Sequence, residues 1–275
     1  MKNILIIGAD GMFGKDAAEF FTKENFQVFK TTRADFDITN FSQVENFFNN
    51  NSDKKIDFII NAAAYTKVDE AQTNQDLAFA VNALGAQNIA KISTKKNIPL
   101  IYISTDYVFD GEKKSAYLPH DKTNPINIYG ASKLLGEEKV RAANPRHYII
   151  RTSWLYGKHG KNFVDTMLKI SQNQKVIKVV NDQFGCPTWT IDLALGIKNL
   201  ITSKADFGTY HICGAGFTTW FGFAKKIFEI SKIEIEVLPV STAEFLRPAP
   251  RPKFSVLDNC GSCRHWQEAL AQYLK

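Results

Sequence analysis

The chain of 275 residues carries 34 Lys+Arg against 28 Asp+Glu, a formal net charge of +6, with 44% hydrophobic and 23% charged residues. This is globular composition with 21 Phe to fill a core, and it excludes a disordered or fibrous chain; at roughly 150 residues per domain it allows one large α/β unit or two modest ones. Four cysteines make no disulfide scaffold and predict a reducing, cytoplasmic compartment, while the absence of any ~20-residue apolar run or dense Lys/Arg run leaves neither membrane nor nucleic acid as an expected partner.

In chain order, Asn3–Ile7 predicts a buried strand, and Gly11–Thr22 a helix with Phe13, Ala17, Phe20 and Phe21 along one side. Phe26–Lys30 predicts a strand, Ser42–Asn49 a helix after cap-type residues, and Ile56–Asn61 a further strand. A long helix over Asp76–Lys96, a strand over Pro99–Ser104, a helix over Ile126–Ala143 and a strand over Tyr148–Thr152 complete the first half. The second half predicts helices over Asn162–Gln172, Ile191–Ile201, Trp220–Ser231 and Trp266–Leu274, and strands over Val176–Val180, Thr209–Cys213 and Ile233–Val237. Arg247–Pro252 is extended, because alternating prolines exclude helix.

Alternation of strand and helix implies parallel pairing through crossover helices. The expected fold is therefore α/β: a doubly wound parallel (Rossmann) sheet over residues 1–150, with a smaller C-terminal α/β domain over 151–275. Some segments of the latter are expected to return to the first body. Charge divides along the same line. Residues 1–150 hold 18 basic and 18 acidic side chains, whereas residues 151–275 hold 16 and 10. Dispersed lysines mostly solvate a surface, but an excess in one half also suits a partner that carries phosphate.

Gly8-Ala-Asp-Gly11-Met-Phe-Gly14 follows the first strand and opens the first helix. Glycine at such a turn lets backbone and helix N–H groups approach a pyrophosphate. The second strand ends Lys30-Thr31-Thr32-Arg33 without the acid that would bind a ribose 2′-hydroxyl, so a 2′-phosphate is favoured or tolerated; Asp37 and Ile38 lie slightly further on, toward the adenosine. Tyr129-Gly-Ala-Ser-Lys133 puts a phenol and an ammonium one helical turn apart, a pair expected to lower the tyrosine pKa toward the working range. The preceding strand ends in Ser104-Thr105, where either hydroxyl could hydrogen-bond a carbonyl oxygen beside Tyr129. Trp154, just past another strand end, is placed to stack on a base or sugar. Cys260-Gly-Ser-Cys263 lacks the further ligands of a zinc site, and no histidine falls in a Ser/Asp triad pattern.

These blocks, with Asn61–Asp69, Val81-Asn82, Ser104–Gly111, Arg151–Gly157, Asn181–Gly185 with Pro187-Thr188, and Arg251-Pro252 with Ser255 and Leu257, resemble the extended short-chain dehydrogenase/reductases over nearly the whole chain. Within that family the resemblance is to the branch that reduces nucleotide-linked 4-keto-6-deoxysugars, dTDP-4-dehydro-L-rhamnose to dTDP-L-rhamnose. Related dehydratases carry an acid where Tyr107 stands, which favours simple reduction.

The resemblance implies NADPH or NADH as cofactor and a dTDP-linked sugar nucleotide as substrate. It makes Tyr129 the general acid at the C4 carbonyl, Lys133 the partner of the nicotinamide ribose, and Thr105 a hydrogen bond to the carbonyl. Gly8, Gly11, Met12, Phe13 and Gly14 would follow the pyrophosphate, Arg33, Asp37 and Ile38 the adenosine end, and Ala64, Tyr65 and Thr66 the rest of the cofactor. Ser104, Asp106, Tyr107, Trp154 and Arg251 would face the substrate, Arg251 meeting its diphosphate. A homodimer stays open; the acidic residues that hold magnesium at the dimer contact of some relatives cannot be placed, so no metal is assigned. Departures include Gln72 after Asp69-Glu-Ala, Cys186 where a small residue is common, and Lys253-Phe254 after the Arg-Pro pair. Two other readings stay open: a non-catalytic dinucleotide-binding subunit similar to the methionine adenosyltransferase β subunit, and another nucleotide-sugar reductase or epimerase.

Overall fold

Strand β1 (Asn3–Ile7) has no polar interruption because both of its faces are covered: Ile4 and Ile6 join one apolar cluster, Leu5 and Ile7 another on the opposite side. The computed structural model describes all residues, 1–275. After β1 come α1 (Met12–Lys23), β2 (Gln27–Thr31), α2 (Phe41–Asn50), β3 (Phe58–Asn61), the helical run α3 (residues 75–95), β4 (Leu100–Thr105), α4 (Ile128–Ala143) and β5 (His147–Thr152). The second half adds α5 (Phe163–Ser171), β6 (Val176–Val180), α6 (Thr190–Ser203), β7 (Gly208–His211), α7 (Trp220–Ser231), β8 (Glu236–Val240) and α8 (Trp266–Tyr273).

Six strands form one sheet in the order β7-β5-β4-β3-β1-β2, every pairing parallel. Phe13, Ala17 and Phe21 of α1 and Leu193, Ala194 and Ile197 of α6 cover one face. Val44 and Phe48 of α2, Ile89 and Ala90 of α3 and Val140 of α4 cover the other. The chain thus departs from β1 in both directions across the sheet, and the crevice at the carboxyl ends of β1 and β3 is its topological switch point. Of the second half, α6 and β7 belong to this body; β6, β8, α5, α7 and α8 pack separately around Tyr156, Val164, Ile177, Phe223, Ile227 and Trp266.

Asparagine side chains set where three helices begin. Asn40, Asn127 and Asn162 accept the N–H groups of Gln43, Gly130 and Asp165 at 3.2, 2.8 and 3.0 Å, which starts α4 at Ile128, two residues later than its apolar pattern predicts. The long helix expected over Asp76–Lys96 has a π-helical stretch, Ala80–Gly85, in its middle. There the Asn82 carbonyl accepts the Tyr102 hydroxyl at 2.9 Å. The strand expected over Ile233–Val237 lies at Glu236–Val240, because the Ile233 N–H is used on the Phe228 carbonyl to close α7 after Lys232 turns left-handed at φ +55°. No helix is long and apolar enough to cross a membrane.

Candidate active site

At the β1/β3 switch point, Gly8 adopts φ +78°, and a Cβ there would lie 2.7 Å from the Ala63 nitrogen. A Cβ on Gly14 would lie 2.2 Å from the Gly8 carbonyl oxygen, so the first turn of α1 can press against the loop that precedes it. No side chain caps α1, whose N-cap is Gly11; its leading N–H groups are left for an anion. A groove of about 290 Å³ opens beside them, lined by Gly8, Asp10, Gly11, Thr32, Arg33, Asp37, Ile38 and residues 62–65. A dinucleotide fits this donor set: uncapped helix N–H groups for its pyrophosphate, and strand-end side chains for its adenosine ribose.

Seven of the expected cofactor residues line the groove: Gly8, Gly11, Arg33, Asp37, Ile38, Ala64 and Tyr65. Gly14 is buried beneath the turn, Phe13 sends its ring into the core, Met12 packs against Gly160, and Thr66 is solvent-exposed outside the groove. Arg33 forms an ion pair with Asp37 at 3.4 Å, and the Thr39 N–H and hydroxyl donate to Asp37 at 2.9 and 2.8 Å, holding that carboxyl below its ordinary range. A residue to which the sequence assigned no role ties the parts together. Asn82 accepts the Tyr65 N–H at 2.8 Å and donates to the Tyr65 carbonyl at 3.1 Å and to Ser132 of α4 at 2.9 Å. A buried asparagine in a helix interior was the available signal.

Thr105 stands at the carboxyl end of β4, its hydroxyl close to the Tyr129 phenol and donated to Asp106 Oδ1 at 3.0 Å. The Tyr107 ring meets the Tyr129 ring edge-on, with centroids 5.8 Å apart. Lys133 lies one turn along α4, but the expected pairing of ammonium and phenol is not what the structure contains. Lys133 Nζ donates to the Ile103 carbonyl at 2.7 Å and sits 4.1 Å from the centre of the Tyr102 ring. Burial pushes the Lys133 ammonium down to about 7, partly offset by Glu137, and burial pushes the Tyr129 phenol up to about 12. The phenol is thus held protonated rather than poised as phenolate.

Ser104 is a second correction. Alternation along β4 turns its hydroxyl away from Thr105 and onto Glu137 Oε1 at 2.6 Å, within a buried pair in which Arg151 donates to both Glu137 oxygens at 2.9 and 2.7 Å. Ser104 therefore braces α4 against β4 and β5 instead of facing the cleft. Asp106 is also buried, and its carboxyl oxygens accept the Thr105 and Ser255 hydroxyls.

Tyr107 faces a second, larger cavity of about 520 Å³ between the two bodies, whose walls include Asp69, Phe163, Lys178, Gln183, Trp220, Arg247 and Arg251. Arg251 lines it, yet its guanidinium is already engaged: it donates to both Asp69 oxygens at 2.5 and 2.9 Å, an ion pair that holds the Asp69 carboxyl low. Arg247 stands free of any carboxylate, 4.8 Å over the Phe245 ring. Trp154, expected to stack on a ligand, stacks on Trp220 at 3.5 Å with 6° between the planes, and a Cβ on Gly185 would lie 2.4 Å from its ring. Its backbone is left-handed at φ +47°. Asp69, Lys178, Gln183, Trp220 and Arg247 carried no substrate role in the sequence reading, because no spacing marks residues that meet only when two bodies pack. Cys186 and Cys213 are buried thiols, Cys260 is exposed and Cys263 partly buried, and no group of His, Cys, Asp or Glu is arranged to hold a metal.

A family model described as "RmlD substrate binding domain" matches residues 1–275. The chain is 37% identical over 281 residues to the spore coat polysaccharide biosynthesis protein SpsK of Bacillus subtilis, covering 100% of this chain and 98% of that protein. Its structure is similar to that of a dTDP-4-dehydrorhamnose reductase from Clostridium acetobutylicum, with TM-score 0.94, 42% identity, and 99% and 98% of the two chains covered. It is equally similar to a dTDP-4-dehydrorhamnose reductase from Bacillus anthracis solved in complex with NADP: TM-score 0.94, 42% identity, 99% of each chain. Given a glycine turn at the sheet's switch point, a Thr/Tyr/Lys set beside it and a full-length family match, the chain belongs to the dTDP-4-dehydrorhamnose reductase family of extended short-chain dehydrogenase/reductases.

Proposed function

We propose that this chain reduces the C4 keto group of a nucleotide-linked 4-keto-6-deoxysugar, dTDP-4-dehydro-L-rhamnose to dTDP-L-rhamnose, with NADPH or NADH. The observation that carries this reading is the placement of Thr105 beside Tyr129, with the Tyr107 ring edge-on to Tyr129 and reaching the larger cavity. The names of the relatives supply the sugar and the nucleotide, and the NADP complex of one of them, with Arg33 at the end of β2, favours NADPH.

When bound, the reduced dinucleotide supplies the hydride. Gly8, Gly11 and the N-terminus of α1 hold its pyrophosphate, Arg33 and Asp37 its adenosine end, and Lys133 the ribose next to the ring, using ammonium donors not spent on Ile103. Tyr129 donates its phenolic proton to the C4 oxygen as that oxygen gains charge; a phenol kept neutral by burial still carries that proton at physiological pH. Thr105 donates a hydrogen bond to the same oxygen. Residues 1–150, with α6 and β7, form the cofactor half, and most of 151–275 the substrate half. Lys178, Arg247 and Arg251 against Asp69 leave the larger cavity basic, which suits a nucleotide diphosphate.

The test is to mix pure protein, NADPH and dTDP-4-dehydro-L-rhamnose and follow the loss of reduced-nicotinamide absorbance, with NMR of the product. Turnover to the C4 alcohol is expected. No oxidation of either NADPH or NADH sinks the reading, and an epimerised ketosugar with no net oxidation replaces it.

A further inference from the structure

Asp106 follows Thr105 directly, in the 3-10 turn Asp106–Val108, and is only 2% exposed. The Thr105 hydroxyl donates to Asp106 Oδ1 at 3.0 Å, and the Ser255 hydroxyl, from the segment after Arg251-Pro252, donates to Oδ2 at 2.5 Å. Thr105 Oγ1 also accepts the Tyr107 N–H at 3.2 Å and lies close to the Tyr129 phenol. A hydroxyl has one proton and two lone pairs, and an ionised carboxylate can only accept. While Asp106 is ionised it takes the one Thr105 proton. The Thr105 oxygen is then left to accept from Tyr107 and Tyr129, and both protons needed at a substrate carbonyl are turned away from it.

A proton on Asp106 reverses this. Oδ1–H donates to Thr105 Oγ1, which together with the Tyr107 N–H fills both lone pairs. The Thr105 proton and the Tyr129 proton are then both free to point at the C4 oxygen. We propose that Asp106 is a positioning residue whose proton sets the direction of the Thr105 hydroxyl, so that Thr105 and Tyr129 donate to the substrate carbonyl only when the Asp106 carboxyl is neutral. This assignment rests on the reductase reading above, and it gives Asp106 a role exerted through the Thr105 hydroxyl.

Its surroundings make the switch operable near neutrality. Burial pushes the Asp106 carboxyl up to about 7 against the pull of the Ser255 and Thr105 hydroxyls. The titratable groups that face it are Tyr107 on its own turn, Tyr129 on α4 and Cys213 just after β7; its direct partners are hydroxyls, not cations. A carboxyl with a raised pKa is neutral below that value, so the competent state is lost as pH rises through it.

The experiment is the pH profile of kcat between about pH 5.5 and 9 at saturating NADPH and dTDP-4-dehydro-L-rhamnose, for wild type, Asp106→Asn, Asp106→Ala and Ser255→Ala. Wild type is expected to show an alkaline limb near neutrality, falling about tenfold per pH unit. In Asp106→Asn the amide accepts from Ser255 and donates to Thr105, reproducing the neutral acid; it should rescue turnover relative to Asp106→Ala, which loses about 100-fold, and should have no such limb. Ser255→Ala removes a bond that favours the carboxylate and should move the limb to higher pH. Asp106→Asn that keeps the wild-type limb, or that is as inactive as Asp106→Ala, overturns the role of Asp106 alone. A wild type with no limb does the same. A wild type that oxidises no NADPH at all overturns the reductase reading and this assignment with it.

Discussion

The cofactor groove and the larger cavity are built on opposite principles. The groove is drawn mainly from three short segments at adjacent strand ends, residues 8–11, 32–38 and 62–65, and its glycine turn leaves the N–H groups of α1 uncapped by any side chain. The cavity is made of side chains from at least five segments, including Asp69, Tyr107, Phe163, Lys178, Trp220 and Arg247, that converge only because two bodies pack together. Backbone recognition tolerates almost any side chain except where a Cβ would intrude. Side-chain recognition fails with the loss of a single charge or ring.

The steepest test of that contrast lies between the two regions. Tyr129→Phe removes one O–H and should lower kcat by about 10²–10⁴-fold while NADPH affinity, followed by fluorescence, stays put. An equal loss of cofactor affinity would move Tyr129 from chemistry to binding. Next comes the backbone region. Gly14→Ala puts a Cβ 2.2 Å from a carbonyl oxygen, and calorimetry should show about 1–3 kcal/mol of lost stability along with weakened NADPH binding. Gly208→Ala on β7 is the control, since its Cβ would meet nothing within 4 Å; equal loss there would remove the close-approach argument.

In the cavity, Arg251→Ala should raise the sugar-nucleotide KM by about tenfold, because it deletes a guanidinium and also strips Asp69 of its bidentate partner. Combining it with Asp69→Asn should recover part of that loss if the unpaired carboxylate is what repels the diphosphate. Arg247→Ala should raise KM about threefold and flatten its salt dependence, as expected for an exposed charge acting through solvent. A salt-independent wild-type KM would remove both. The smallest effect belongs to Arg33→Ala, which should reduce the preference for NADPH over NADH by about threefold, the modest return of an exposed arginine already shared with Asp37.

Much of this molecule is legible in its amino-acid sequence. The strand Asn3–Ile7, the glycine turn, Thr105, Tyr129 and Lys133 are local or nearly local features, and their periodicity and spacing carry their meaning along the chain. Beside the Lys133 ammonium, which bonds Ile103 and not the phenol, three further features depart from their sequence patterns. Ser104 and Thr105 are both hydroxyl side chains, and only the pleat of β4 sends one to Glu137 and the other toward Asp106 and Tyr129. Arg251 reads as a free cation until Asp69, far away in sequence, is found against it. Trp154 reads as a ligand platform until Trp220 takes its face.

The net charge of +6 shows the same division. Its confinement to residues 151–275 is a property of the amino-acid sequence, as are the fold class, the glycine turn after β1 and the one-turn spacing of Tyr129 and Lys133, because each depends on neighbours within a few residues. Which of those charges face a ligand, that Asn82 clamps the cofactor loop to α4, and that Ser255 and Asp106 bear on Thr105 were decided only by the tertiary structure. Hydrogen bonds and ion pairs act over about 3 Å, and folding alone brings groups 50 to 182 positions apart within that reach.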